Sequence, residues 1–363
     1  MKEAFDNKKY LREQQDRFEK VLKDDSERPK FVEFGGKPFS DHHAERVLPG
    51  YDPEAKAEIL KEMVKLGEVV MVVNALDMLV PTDGRTLKQR IRGDSQLFYD
   101  KETLRMIADA HRRHIPIHKA VMAVTPREMT DENRRIVDSF RKDLERMDVR
   151  LYTHYKVEGY PNESILDREA PFAESEVSRA PGSSLIAVSP GGGSGKFGML
   201  LAEMYDSLLK GEVPKYVKFE TFPIYQLDAR HPLNQAFAAA TADLQNEVVT
   251  LRSGSDIRTS YDKDIDNFLL LKKLFEVFGQ SRHADTMHDA VDMGVNQIVK
   301  GIVDMEKVIA ACRDEVCRRI MRYEKEVAIG IEKPESLTRA KEILGEFDEM
   351  YRIGPKSEAP GSV

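Results

Sequence analysis

Two hydrophobic patterns alternate along the first two thirds of this chain. Short apolar runs rich in valine and isoleucine predict buried strands, whereas longer stretches with apolar residues every three or four positions predict helices. The predicted strands lie at 31–34, 69–73, 115–124, 149–153, 185–188 and 215–220. The predicted helices between them lie at 5–24, 53–65, 101–114, 127–147 and 197–208. This alternation predicts an α/β fold, in which a Rossmann-like, mostly parallel sheet is the middle of three layers.

The pattern becomes purely helical near residue 261. Helical spacing recurs over 232–244, 262–278, 304–328 and 333–350. No further strand is predicted after residue 261, and the last residues are rich in proline, glycine and serine. The change favours a division into units. The predicted units are an N-terminal Rossmann-like α/β region at 1–180, a glycine-loop α/β unit at 181–261, a C-terminal helical subdomain at 262–350 and a disordered tail at 351–363.

Composition narrows the functional classes. The 363 residues carry a formal net charge of −7, which disfavours general binding to DNA or RNA, because that affinity depends on clustered basic residues. No run of 18 apolar residues occurs, so no transmembrane helix is predicted, and we expect no secretory signal at the charged N-terminus. Two cysteines suit a reducing compartment. We therefore expect a cytoplasmic enzyme or small-molecule binder without nucleic-acid or membrane partners.

The strongest chemical signal connects the strand at 185–188 to the helix that follows it. The connecting residues are Gly191, Gly192, Gly193, Ser194, Gly195 and Lys196. A helix N-terminus presents unpaired N–H groups and the positive end of a dipole, and glycines let those groups approach a phosphate closely. We expect residues 191–195 to cradle phosphate groups and Lys196 to neutralise charge as a catalytic residue.

This loop differs from the P-loop pattern at two positions. Pro190 stands where the first glycine belongs, and Phe197 replaces the Ser or Thr that ligates Mg²⁺. Ser194 lies inside the loop and is suited to part of that role. The alternative is a tight strand-to-helix turn with a solvated lysine, but the loop has more glycines than such a turn needs. We expect ATP or another phosphorylated ligand, together with Mg²⁺, to bind here.

Further candidates follow from the rule that ligands bind beyond the carboxyl ends of parallel strands. Glu220 ends the strand after the glycine-loop helix and is the predicted metal ligand, the alternative being a surface glutamate. Lys218 lies on the same face as Glu220 and is a predicted substrate contact. Arg46 and Arg92 follow the first two strands and suit a phosphate or carboxylate, the alternative for each being a surface ion pair.

Two residues complete the predicted catalytic set. His43 lies in the segment 41–51, which we predict to be a loop crowded with imidazoles, carboxylates and an arginine. Asp243 lies on the polar side of the helix that begins at Pro232 and is a candidate base. No H-E-x-x-H or G-x-S-x-G motif occurs, and Cys312 on an apolar helical stripe is predicted to be a buried small hydrophobe.

Several segments, taken in order, resemble those of one protein family. The segments are 33–37, 43–52, 91–94, 159–161, 190–196, 218–223, 231–234, 240–244 and 292–296. The family is an uncharacterised bacterial family of conserved hypothetical proteins, a domain of unknown function, whose members are sometimes labelled ATP-dependent zinc proteases. The resemblance implies a Rossmann-like α/β core with helical additions, and it implies that the glycine loop and the segment 218–223 belong to one site.

The chain departs from this family in two ways. Asp289-Ala290-Val291 stands where members carry Ser-Pro-Thr before Asp-Met-Gly-Val-Asn, so two hydroxyl groups are missing there. Longer members continue into another α/β region after the helices, and we expect any site residue from that region to be missing here. The zinc-protease label finds no support in the residues of this chain.

Three functions compete on these residues. The first is an enzyme that binds ATP or a related ligand with Mg²⁺ and transfers a phosphoryl or other group to a small metabolite, which His43, Arg46 or Arg92 would hold. The second is a non-catalytic, nucleotide- or phosphometabolite-binding regulator or oligomeric scaffold, which the missing Ser or Thr after Lys196 favours. The third is a phosphate-ester hydrolase. The helical C-terminal segment is compatible with a homo-oligomer.

Overall fold

Strands and helices alternate in the computed structural model, which describes residues 3–23, 28–79, 91–92, 95, 97–219, 222, 224, 227–243 and 260–352. The strands are β1 (Lys30–Phe34), β2 (Glu68–Asn74), β3 (Ile91–Arg92), β4 (Leu97–Phe98), β5 (Ile117–Val124), β6 (Arg150–Tyr155), β7 (Leu185–Val188), β8 (Lys215–Phe219) and β9 (Gly294–Val295). The helices are α1 (Asn7–Lys23), α2 (His42–Val47), α3 (Ala55–Met63), α4 (Tyr99–Arg112), α5 (Asp131–Glu145), α6 (Lys196–Leu209), α7 (Pro232–Ala240), α8 (Ser260–Val277), α9 (Ser281–Asp285), α10 (Ile298–Gly301), α11 (Met305–Ala328) and α12 (Pro334–Met350).

Seven of the strands form one parallel sheet, in the order β6-β5-β2-β7-β1-β8-β9. Val32 at its centre lies opposite Ile186 of β7 and Val217 of β8. These side chains are at most 1% exposed, as expected for strands covered on both faces. The remaining strands, β3 and β4, pair antiparallel in a separate two-stranded sheet.

Helices cover both faces of the large sheet, so the predicted three-layer, Rossmann-like α/β architecture is confirmed. One face carries α1, α3, α4, α5 and α7, and the C-terminal helices α11 and α12 pack on α7 in the same core. The other face carries α6 and α8. The sheet contains strands from both sides of residue 180, and the proposed division into units stays a prediction. Among the described residues, no helix combines the length and apolarity that a membrane span requires.

Two local predictions are wrong. The segment 41–51 contains the helix α2, not only a loop. The Asp41 carboxylate caps this helix by accepting a hydrogen bond from the Ala44 amide, and the helix buries Ala44 and Val47 against the core. Six residues are too few to show a helical period. A strand also follows residue 261, since β9 extends the sheet beside β8 with two residues that carry no periodic signal.

The strand order places a topological switch point between β2 and β7. The chain leaves β2 through α4 on one face and returns in β5, whereas it leaves β7 through α6 on the other face and returns in β8. Ligands of open parallel sheets bind in the crevice that such diverging connections leave at the carboxyl edge. The glycine loop directly follows β7 and therefore lies at this crevice.

Candidate functional site

Two carbonyl groups of the glycine loop between β7 and α6 accept hydrogen bonds from side chains of the sheet and of the loop itself. The Ser189 hydroxyl donates to the Gly191 carbonyl oxygen at 2.7 Å, and the Asn74 amide Nδ2 donates to the Gly193 carbonyl oxygen at 2.9 Å. In a trans peptide the next N–H points opposite to the C=O, so the amides of Gly192 and Ser194 face away from these partners. Residues 192–193 form a tight turn, and among the described residues none accepts a well-formed hydrogen bond from an amide of 191–195.

Glycine is required at two positions of the loop. Gly193 and Gly195 have φ angles of +72° and +88°, in the left-handed region that side chains disfavour. A Cβ at Gly195 would also lie 2.8 Å from the Cβ of Ala123 in β5. Gly195 is the N-cap residue of α6, a helix of 14 residues, so the loop ends at the positive end of a helix dipole.

The Lys196 ammonium lies against the same loop. Lys196 is only 5% exposed, and its Nζ donates to the Ser189 hydroxyl at 2.9 Å and lies 3.5 Å from the Ser194 hydroxyl. Burying a charged group is costly unless polar groups surround it, and the two hydroxyls supply part of that surrounding. The structure thus brings the predicted residues Ser194 and Lys196 together at the start of α6.

A row of three residues crosses the sheet beneath the loop. Asn74 of β2 lies opposite Ala123 of β5, and Ala123 lies opposite His154 of β6. Residues in register point to the same face, and here each one meets a successive part of the connection into α6. Asn74 contacts Gly193, Ala123 lies under Gly195, and His154 lies beside Gly198.

A second lysine is joined to this row. The Lys156 ammonium, two residues beyond His154, donates to the Asn74 Oδ1 at 2.8 Å, and the same oxygen accepts a hydrogen bond from the Leu76 amide. Two cations, Lys196 and Lys156, are therefore linked to the loop through neutral polar side chains. Sequence reasoning missed Asn74 and Lys156. Asn74 ends the apolar strand β2, which is the signal that marks such sites, whereas Lys156 follows β6, a strand of largely polar residues.

His154 and Tyr160 form one wall beside the first turn of α6. His154 is 4% exposed, and burial, together with the charge of Lys156, lowers the pKa of its ring to about 4. A Cβ at Gly198 would lie 3.4 Å from His154 Nε2 and 3.9 Å from the Tyr160 ring. The Tyr160 hydroxyl donates to the Asn267 Oδ1 at 2.9 Å and so connects this wall to α8.

Lys218, the predicted substrate contact, is held by a carboxylate of α8. Its Nζ lies 2.6 Å from the Asp264 Oδ1, and the Asn267 amide donates to the same oxygen at 3.2 Å. On the neighbouring strand Glu33 accepts a hydrogen bond from the Tyr216 hydroxyl at 2.6 Å. These buried polar side chains continue from Tyr160 along the face of the sheet that α6 and α8 cover.

His43 and Arg46, predicted to act in catalysis and substrate binding, meet at one buried carboxylate of α11. The Arg46 guanidinium donates to both oxygens of Glu315, at 2.6 and 3.0 Å, and His43 Nδ1 lies 3.3 Å from Oε1. Arg319 donates to Oε1 at 2.8 Å. Burial raises the pKa of Glu315, but His43, Arg319 and Arg46 together lower it to about 2. The cluster joins α2 to α11, and a contact of either residue with a substrate stays a prediction.

The remaining predicted residues are less fully described. Asp243, the candidate base, is 7% exposed and lies 3.8 Å from an Nη of Arg322 in α11. Arg92 lies in β3, but its side chain is outside the described residues, as is the whole of Glu220, the predicted metal ligand. No three His, Cys, Asp or Glu side chains converge as metal ligands within the described part of the chain. Cys312 is buried, as predicted.

Comparisons with known proteins identify one family. The model of the N-terminal part of DUF1846, a domain of unknown function, matches residues 3–348. A UPF0371 protein of Streptococcus uberis is 33% identical over 352 residues, covering 94% of this chain and 67% of the relative. A UPF0371 protein of Clostridioides difficile is 33% identical over 362 residues, covering 96% and 67%, and one of Streptococcus pyogenes is 34% identical over 324 residues, covering 87% and 61%. The chain spans about two thirds of these relatives' length.

Proposed function

We propose that this chain, which belongs to the DUF1846 family, binds a phosphorylated small molecule through the glycine loop at 189–196. The observation that supports the proposal is the orientation of the loop amides. Carbonyl groups at Gly191 and Gly193 are held by Ser189 and Asn74, which turns the following N–H groups away from these two side chains, just before a helix N-terminus. A phosphate oxygen is the acceptor that matches several convergent N–H groups.

Charge supports the same ligand class. Lys196 lies at the loop, and Lys156 is joined to the loop by two successive hydrogen bonds through Asn74. The dipole of α6 adds partial positive charge. Each hydrogen bond to a charged group contributes about 1.5–3 kcal/mol, so several loop amides and one lysine together favour binding of a phosphate group. The chain's net charge of −7 makes this concentration of positive charge local rather than general.

The finer proposal is that the ligand is a nucleotide such as ATP and that the protein transfers a phosphoryl or other group to a small metabolite. In that reaction the loop amides would hold the phosphates, and Lys196 would stabilise the charge that develops during transfer. The Ser194 hydroxyl and the Glu220 carboxylate are the groups that would hold Mg²⁺. His43 and Arg46 are engaged by Glu315, so we do not assign the acceptor to them.

Calorimetry with phosphate, ADP and ATP, each with and without Mg²⁺, tests both levels of the proposal. We expect saturable binding that falls at least tenfold in Lys196→Ala, which corresponds to about 1.4 kcal/mol. Lys210→Ala is the matched control, because Lys210 is exposed at the opposite end of α6, where it pairs with Asp206. If both variants lose the same amount of binding affinity, or if the unaltered protein does not bind, the loop is not a phosphate site.

Product analysis then separates the three functions. Release of ADP that depends on an added acceptor supports group transfer, and release of inorganic phosphate from an ester supports a hydrolase. Binding without turnover supports a regulator or scaffold. The relatives carry additional length, so this assay is best run on a full-length relative as well as on the present chain.

A further inference from the structure

One ring nitrogen of His154 contacts a serine hydroxyl, and the other faces the first turn of α6. The Nδ1 atom lies 3.1 Å from the Ser175 hydroxyl oxygen. The Nε2 atom has no hydrogen-bond partner among the described residues, and it faces the position where Gly198 lacks a Cβ. The side chain is 96% buried, and its Nε2 atom lies beside the first turn of α6 without a protein partner among the described residues, so it is available to a ligand there.

The hydrogen bonds around Ser175 favour one tautomer of the His154 ring. The Ser175 hydroxyl oxygen accepts a hydrogen bond from the Tyr155 amide at 3.1 Å, and His154 Nδ1 is the acceptor within reach of its own hydrogen. When Nδ1 accepts the Ser175 hydroxyl hydrogen, the neutral ring carries its own hydrogen on Nε2, and this is the tautomer that the proposal uses. The ring presents a neutral N–H donor to the gap beside Gly198.

The position of this donor follows from the row across the sheet. His154 is in register with Ala123, and Ala123 lies under Gly195, so the imidazole stands one strand away from the last glycine of the loop. Neighbouring strands are about 4.8 Å apart, which places the ring alongside the first turn of α6. Gly198 is the third residue of that helix, and a Cβ there would lie 3.4 Å from His154 Nε2.

We propose that His154 is a ligand-contacting residue of this site, whose neutral ring donates its Nε2–H to a phosphate oxygen held at the start of α6. This inference rests on the proposed function, since the loop amides must first bring the phosphate there. Ser175 acts as a positioning residue, because its hydroxyl contacts Nδ1 and so orients the ring. Tyr160 closes the gap on the other side, and its own hydroxyl is turned toward Asn267.

The surroundings keep the ring neutral. The ring is buried, and Lys156, just beyond the end of the same strand, adds positive charge; burial and this charge together lower the pKa of His154 to about 4. A neutral donor suits a site that already holds two lysines, because it adds a hydrogen bond without a third positive charge. Phosphate binding should therefore not require an ionised histidine between pH 6 and 8.

Nitrogen NMR of protein labelled with ¹⁵N-histidine tests the tautomer without any ligand. The signal missing in His154→Gln identifies the residue among the nine histidines. We expect the pattern of the neutral Nε2–H tautomer throughout pH 6 to 8, and a change of that pattern in Ser175→Ala. A protonated ring, or a proton on Nδ1, would overturn the inference.

Titration with inorganic phosphate tests the contact. Glutamine carries an amide N–H near the Nε2 position and asparagine only near Nδ1, so we expect His154→Gln to bind within about threefold of the unaltered protein and His154→Asn about tenfold more weakly. Gly198→Ala meets only ordinary van der Waals distances and adds a helix-favouring residue, so it should keep its melting temperature and still bind about tenfold more weakly.

The two proposals fail differently in this titration. If phosphate binding is lost in Lys196→Ala but unchanged in His154→Asn and Gly198→Ala, the loop is a phosphate site and the role of His154 is wrong. If the unaltered protein does not bind phosphate, both proposals are wrong. Weaker binding in both His154→Asn and Gly198→Ala, with normal melting, supports the inference.

Discussion

Replacing Gly195 with alanine should destabilise the protein and abolish phosphate binding at the loop. Gly195 has a φ angle of +88°, which costs an alanine about 1–2 kcal/mol. The new Cβ would also lie 2.8 Å from the Cβ of Ala123, which is fully buried in β5 and has no room to move. Such crowding costs about 1–3 kcal/mol. We therefore expect Gly195→Ala to lower the free energy of unfolding by about 2–5 kcal/mol.

The other end of α6 provides the matched control. Gly211 has a φ angle of +80°, and a Cβ there would meet nothing within 4 Å. Gly211→Ala should therefore cost only the backbone contribution of about 1–2 kcal/mol. Urea denaturation followed by far-ultraviolet circular dichroism measures both variants, and the difference between them isolates the contact with Ala123.

A double-mutant cycle tests that contact directly. Ala123→Gly removes the methyl group that the new side chain would strike, so the two substitutions together should cost about 1–3 kcal/mol less than the sum of their separate effects. The reasoning is refuted if the coupling is below about 0.5 kcal/mol, or if Gly195→Ala is as mild as Gly211→Ala. Either result would mean that the loop does not lie over β5.

Two further predictions concern the rest of the chain. The pKa of Glu315 is lowered to about 2 in the folded protein, below the usual 4.5. The ionised carboxylate therefore contributes its full stability to the folded state above about pH 4.5, and this stability is lost as the pH falls toward 2. The unaltered protein should exceed Glu315→Gln in unfolding free energy by about 3 kcal/mol at pH 7, with the gap closing between about pH 5 and 2; a gap independent of pH would contradict the ionic cluster. Cys312 is buried with its pKa raised by burial, whereas Cys317 is partly exposed, so a thiol reagent should modify only Cys317 in the native state. Rapid labelling of native Cys317→Ser would show that α11 is packed differently.

Local patterns predicted the elements that build the site. The run at 185–188 is a strand in the structure as it is in the hydrophobic pattern, and the glycines after it lead into α6 as expected. Strands in a parallel sheet are buried on both faces, so their apolar runs are visible in the sequence. The glycine loop was visible because its backbone conformation permits few other residues.

Residue pairings that join distant parts of the chain were not predictable. Arg46 and Glu315 are 269 positions apart, and neither spacing nor composition indicates that α2 meets α11. The same limit applies to the row of Asn74, Ala123 and His154, which exists only through the register of β2, β5 and β6. The sequence places the polar residue Asn74 directly after the apolar run at 69–73, but the strand order was needed to place it beneath the loop.

The most direct test of the phosphate site is an NMR spectrum of protein labelled with ¹⁵N-glycine, recorded as inorganic phosphate is added. The chain has 22 glycines, and single substitutions to alanine assign those of the loop. The account predicts that the amide signals of Gly192, Gly193 and Gly195 move saturably, while those of Gly211 and Gly330, away from the loop, stay in place. Unmoved loop signals at saturating phosphate, or equal movement of the distant glycines, would contradict it.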